Sequence, residues 1–206
     1  MVEAERKEAT FIEIARRQQI LDVALKMFAE KGFHQTSLAE IARKLKISKG
    51  VISYHFDGKS DLGQEVIRHI IRKVSKAAQD RVAAKSTGKD KLLEFVLACI
   101  DYIDENRSDY LTYMDTMGCF GTMKEKREMI AWVNRNTRRV IVGLIEEGQA
   151  DGSIGRINKR NSADVLQSIM DGLMEATAAE PDVVDLKACK HIVEDIVIGM
   201  IAVQRD

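Results

Sequence analysis

A single proline, Pro181, in a chain of 206 residues, together with the lack of any sustained alternation of apolar and polar positions, makes an all-α fold the economical solution. Helix boundaries follow from the punctuation. A first helix runs from about Thr10 to Lys31 with Ile20, Leu21, Ala24, Leu25 and Phe28 on one face, and Gly32 is expected to end it with a left-handed cap. Ser37 and Glu40 form a capping-box pattern that opens a short second helix through Ile41 and Leu45. Ser48 is positioned to cap a third, ending near Phe56, and Asp57-Gly58 breaks the chain before a long amphipathic fourth helix that opens at Ser60 or Asp61.

Beyond Ser86-Thr87-Gly88 five further helical stretches are expected, at about 89–105, 107–118, 122–150, 159–179 and 183–204. The layout is a three-helix head over residues 1–58 and a larger helical body over 59–206, with 59–84 as the connecting helix.

Charge separates the two parts. Lys+Arg and Asp+Glu balance at 32 each, which argues against a protein whose whole surface grips nucleic acid. Residues 31–60, however, hold 6 basic side chains against 2 acidic ones. Cys99, Cys119 and Cys189 are odd in number, form no CxxC pair, and read as reduced core residues of a cytoplasmic protein. No apolar stretch is long enough to span a bilayer. His34, His55, His69 and His191 have no metal-ligand spacing, Gly152-Ser153-Ile154-Gly155 reads as a turn, and no nucleophile elbow or acid/base pair stands out. The expectation is a non-enzyme with no cofactor and no metal.

The segment SLAEIARKLKISKGVISYHF, residues 37–56, carries the functional signal. Helices this short cannot fold alone, so Leu38, Ile41, Ala42 and Leu45, then Ile47, Ile52 and Phe56, must be buried against the first helix. Gly50, Val51, Ser53 and Tyr54 are left on the outward arc of the third helix, with Lys49 at its margin. Two short helices around a tight turn, the second presenting small and polar groups, match a helix-turn-helix whose second helix enters the DNA major groove. In that role Gly50 permits close approach, Val51 touches a thymine methyl, and Lys49 reaches a guanine edge or a phosphate. Thr36, Ser37, Ser48, Tyr54, His55 and Lys59 supply donors suited to phosphate oxygens. A small helical bundle with a solvated face is the alternative reading of the same arc.

Residues 20–62, ILDVALKMFAEKGFHQTSLAEIARKLKISKGVISYHFDGKSDL, resemble the N-terminal domain of the TetR family of bacterial transcriptional regulators. Phe28, Gly32, Thr36, Ile41, Ala42, Ser48, Gly50, Tyr54, His55, Phe56, Lys59 and Leu62 carry the likeness. Two positions depart from the family pattern: Lys46 fills a turn position often held by glycine, and Ser53 stands where tyrosine is frequent, which bears on any contact Ser53 makes.

The resemblance implies a homodimer joined by a four-helix bundle of the last two helices. Leu166, Ile169, Met170 and Leu173 of the eighth helix and Ile192, Val193, Ile196, Val197 and Met200 of the ninth are the expected seam, although such stripes serve a monomer core equally well. Residues 102–133 concentrate soft and aromatic side chains suited to an adaptable apolar cavity. The expected lining is Tyr102, Tyr113, Met114, Met117, Phe120 and Trp132, joined by Met170 and Met174, with Asp115 and Glu175 as conceivable polar partners. The partners implied are an operator in double-stranded DNA, a small apolar or amphipathic effector and a second copy of the chain, with no membrane; the function implied is repression relieved by that effector. A helical carrier or enzyme without specific DNA binding, and a nonspecific architectural DNA binder, are the competing classes.

Overall fold

The computed structural model describes residues 10–180 and 182–202; Pro181 lies outside them. The described residues form nine α-helices and one short 3-10 turn, with no strand. They fall into two compact units, one comprising the residues up to His69 with Thr112–Cys119, the other Ile70–Leu111 with the residues from Phe120 onward.

The first unit contains α1 (Phe11–Lys31), α2 (Leu38–Leu45), α3 (Lys49–His55) and the first half of α4 (Gly58–Val82). Thr10 and Glu13 close a capping box at the start of α1, and Ser37 and Glu40 close another at the start of α2, so orphan backbone donors at both ends find acceptors. Gly32 ends α1 with a positive φ of 85°, its N–H donating to Phe28 O at 2.8 Å; its ψ of 154° places it outside the left-handed helical region expected for it. Ile20, Leu21, Phe28, Ile41, Ile52, Phe56, Leu62 and Val66 are all essentially sealed from solvent and make the core of this unit. Full burial of each such side chain contributes roughly 1.5–3 kcal/mol.

α4 begins at Gly58, earlier than expected, and its first three turns belong with the head. Gly63 explains part of this, since a Cβ there would lie 2.8 Å from the Phe33 ring and 2.9 Å from Cys119 Cβ. The end of α6 (Arg107–Thr116) and the 3-10 turn Met117–Cys119 are fixed to the same unit by polar contacts. Phe33 N–H donates to Asp115 Oδ2 at 2.5 Å, and the Ser60 hydroxyl donates to Cys119 O at 2.7 Å.

The second unit holds the rest of α4, α5 (Gly88–Glu105), the start of α6, α7 (Met123–Asp151), α8 (Lys159–Ala179) and α9 (Leu186–Ile201). α9 opens later than expected because Asp185 caps it, accepting from Ala188 N at 3.0 Å. Leu92, Val96 and Ile100 of α5, Ile141 and Ile145 of α7, Ala163, Leu166 and Met170 of α8, and Val193, Val197 and Ile201 of α9 form one continuous apolar core. α5 and α7 cross where Gly88 meets Gly148, and a Cβ on Gly88 would collide with the Gly148 backbone. Cys99 is buried in this unit, and burial pushes its thiol up to about 12, so it remains protonated and inert. Among the described residues no helix is long and apolar enough to cross a membrane.

Candidate nucleic-acid interface

α2 and α3 meet through a turn whose corner is Lys46, at φ 55° and ψ 41°. This left-handed corner closes α2, with Ile47 N–H donating to Ala42 O at 3.0 Å and Lys46 N–H to Arg43 O at 3.1 Å. A lysine here carries a steric cost of about 1 kcal/mol that glycine avoids. The backbone geometry usually supplied by glycine is therefore kept despite the departure in sequence.

The 3.6-residue period of α3 then decides which side chains face outward. Ile52 and the following Phe56 are buried; Lys49, Gly50, Ser53 and Tyr54 are exposed, and Val51 is half-buried at the edge. Gly50 is free of internal demand: a Cβ added there would meet its nearest neighbour, Ser48 Oγ, at an ordinary 3.5 Å.

The predicted phosphate donors divide. Ser37 is exposed at the α2 N-terminus, where its hydroxyl is engaged with Glu40 Oε2 at 2.9 Å. Ser48 stands at the N-cap position of α3 but makes no side-chain cap hydrogen bond, contrary to the expected cap, and is exposed. Thr36 requires correction. It is buried, and its hydroxyl lies 2.9 Å from Gly32 O and 3.3 Å from Met27 O, so it fastens the α1–α2 connection instead of facing outward.

Lys59 is half-buried, donating to His34 O at 2.9 Å with its ammonium 4.6 Å from the Phe33 ring centroid; its remaining N–H donors are the ones available for a phosphate. The His55 ring packs edge-on against Tyr54 at 5.0 Å, and burial draws its pKa down although Glu13 opposes this, favouring a neutral imidazole at pH 7.

Sequence reasoning missed Glu13. Its Oε1 accepts the Tyr54 hydroxyl proton at 2.5 Å, while its Oε2 accepts from Thr10 N at 2.7 Å in the α1 capping box. The hydrogen bond from Tyr54, followed by those from Thr10, holds this carboxyl at about 2. The two residues are 41 positions apart, and no spacing rule connects them.

The other predicted sites are rearranged. Leu166, Met170, Val193 and Val197 are sealed in the core of the second unit, so the seam assigned to them is corrected: those side chains are already used. The apolar side chains left outside are their neighbours, Val165 on α8 and Ile192, Ile196 and Ile198 on α9. Ile169, Leu173 and Met200 lie between, partly buried. An open groove of about 370 Å³ runs along α8, lined by Asp164, Val165, Ser168 and Ile169.

The eight residues expected to line one effector cavity do not share one unit. Tyr113, Met114 and Met117 belong to the first, whereas Tyr102, Phe120, Trp132, Met170 and Met174 belong to the second. Met114 is exposed, Met117 is buried, and Tyr113 has intermediate exposure. In the second unit Phe120, Trp132 and Met174 have intermediate exposure, and Met170 is core. Tyr102 is buried with its hydroxyl donating to Asp109 at 2.7 Å; Lys73 donates to the same carboxylate oxygen at 2.5 Å. Asp115, a conceivable effector partner, is committed to the Phe33 amide, and Glu175 is exposed.

Residues 20–66 match the family model described as bacterial regulatory proteins, tetR family. Over 188 residues the chain is 29% identical to the HTH-type transcriptional regulator BetI of Burkholderia mallei, covering 91% of this chain and 94% of that one. The fold is that of the fatty acid degradation regulator FadR from Bacillus halodurans, with a TM-score of 0.74 at 18% identity over 96% of this chain and all of that one. The transcriptional regulator FadR from Bacillus subtilis, solved in complex with stearoyl-CoA, superposes with a TM-score of 0.73 at 19% identity, covering 90% and 99% of the two chains.

Proposed function

We propose that the chain, whose residues 20–66 match the tetR-family model, is a ligand-responsive, DNA-binding regulator of transcription of that family, which represses from a palindromic operator and is released by a small apolar or amphipathic effector. The observation that carries this reading is the outer side of α3. Lys49, Gly50, Ser53 and Tyr54 are exposed while Ile52 and Phe56 anchor the helix from behind. A small-residue patch flanked by cationic and hydroxyl donors suits the floor of a major groove and its bordering phosphates.

In this reading Lys49, Gly50 and Val51 meet base edges, and Ser37, Ser48, Ser53, Tyr54, His55 and Lys59 meet the backbone. One seven-residue helix reads too little sequence for useful discrimination. Two copies spaced by about 34–36 Å read successive turns of a palindrome, and Val165, Ile192, Ile196 and Ile198 offer the apolar face on which a second copy docks. The soft and aromatic residues of the second unit favour an amphipathic effector, and the stearoyl-CoA held by the Bacillus subtilis regulator is an example of that class. An effector that prefers one conformation of the second unit shifts the dimer toward states that no longer match the operator; reversing a 99:1 population takes about 5.5 kcal/mol. The protein then works in the cytoplasm, where its operator is.

A competition gel shift with the DNA flanking the protein's own gene tests the reading. A sequence-specific regulator keeps its complex in excess nonspecific competitor. Loss of the complex at the first addition of competitor, with steep salt dependence, identifies an architectural binder instead; no complex at all identifies a carrier.

A further inference from the structure

We propose that Glu13 is a built-in competitor for the Tyr54 hydroxyl, an internal carboxylate standing where a DNA phosphate must go, so that duplex binding has to part the Tyr54–Glu13 pair. The inference rests on the DNA-binding reading above and adds a restraining residue to it. A phenol has one proton to donate. In the free protein that proton goes to Glu13 Oε1 at 2.5 Å, and a phosphate oxygen, itself only an acceptor, cannot share it.

Glu13 is not a loose surface side chain. Its second oxygen is fixed by Thr10 N at 2.7 Å and by the Thr10 hydroxyl at 2.9 Å, so the cap that starts α1 also aims the carboxylate at α3. Tyr54 is 72% exposed, so its ring is free to turn toward a duplex once released. A phosphate taking the phenol proton while Glu13 stayed in place would bring two anions within a few ångströms, and their repulsion opposes the complex. The resulting penalty is independent of base sequence, because a phosphate contact carries none. It lowers affinity for all DNA alike.

Glu13→Gln isolates the effect. Glutamine at the third helical position keeps the capping box, while its neutral amide no longer competes as an anion for the phenol proton. Fluorescence anisotropy of the full chain is measured on two labelled duplexes, one carrying the DNA upstream of its own gene and one of arbitrary sequence, with circular dichroism to confirm the helices. Glu13→Gln tightens both complexes by a similar factor, roughly fivefold for each head engaged, and the gain disappears when Tyr54→Phe is also present. Unchanged or weaker binding overturns the proposal, as does an equal gain on the Tyr54→Phe background, which makes Glu13 a generic charge. Should Glu13→Gln fail to fold, Glu13→Ala is compared on the wild-type and Tyr54→Phe backgrounds instead: a gain on both duplexes that Tyr54→Phe abolishes is the expected result, and no gain, or an equal gain on the two backgrounds, overturns the competition. Absence of binding by the wild-type chain to either duplex overturns the DNA-binding reading and the competitor with it; binding that is indifferent to Glu13 overturns the competitor alone.

Discussion

The Lys59 ammonium donates to the His34 backbone oxygen at 2.9 Å and sits 4.6 Å from the centre of the Phe33 ring, tying the start of α4 to the segment that follows α1. Lys59→Ala removes a charge-assisted hydrogen bond and a cation–π contact together. The expected loss is about 1–2 kcal/mol of stability, read as a lower midpoint in urea. Operator affinity falls by a similar factor on every sequence. A variant that weakens DNA binding without moving the midpoint would confine Lys59 to the interface.

Gly50 is the reverse case, because its neighbours leave room for a methyl group. Gly50→Ala is expected to stabilise the protein by about 0.5–1 kcal/mol through helix propensity. The same methyl intrudes on a closely approached base, so operator affinity drops while the thermal midpoint rises. Those opposite signs, measured on one preparation, distinguish a DNA-facing glycine from a structural one.

The Gly88–Gly148 crossing tolerates no such addition. Gly88→Ala forces the backbones of α5 and α7 apart at their contact, and the expected cost is about 3 kcal/mol or more. Calorimetry of the intact chain reads this as a large fall in melting temperature. A change of under about 0.5 kcal/mol would mean the two helices slide freely at that point.

Ile196 and Val197 are adjacent on α9, about 100° apart around its axis, and that step takes the chain from a side chain 43% exposed to one fully buried. In the dimer proposed above, Ile196→Asp is expected to yield a folded monomer, seen as a halved mass in light scattering with unchanged circular dichroism. Val197→Asp buries a carboxylate in the apolar core and unfolds the second unit. If Ile196→Asp remains dimeric, the docking face lies elsewhere.

Acid should weaken the second unit through Glu94 and Asp101. Burial raises both carboxyls, but hydrogen bonds from Lys85 and Arg81 to Glu94, and from Lys190 and Arg81 to Asp101, prevail and leave both below the usual carboxylate range. A depressed folded-state pKa stabilises above the unfolded value, near 4, and that contribution is lost as pH falls through the folded one. Asp101→Asn therefore lowers the melting temperature at pH 7, and the gap from wild type narrows below about pH 4. A gap independent of pH would assign the effect to packing.

The head was legible because its determinants are local. Ser37 with Glu40, Gly32 after Lys31, and the Ile52–Phe56 pair all act within a turn or two of helix, where spacing fixes geometry. The α9 stripe was legible as apolar but not as to which of its arcs the chain covers itself. Val193 and Val197 carry the same chemistry as Ile192 and Ile196, and only tertiary packing tells them apart. The Met and aromatic residues of 102–133 are ambiguous in sequence for a related reason, since soft side chains suit core and cavity equally. Glu13 was invisible because its partner is brought near by the fold alone.

The left-handed corner at Lys46 has a consequence for how the protein finds a duplex. An exposed cation at the bend before α3 enlarges the capture range for a polyanion, from a backbone posture that glycine would hold at ease. The turn trades conformational comfort for speed of encounter. Glycine in its place separates the two, giving a more relaxed bend that meets its target more slowly.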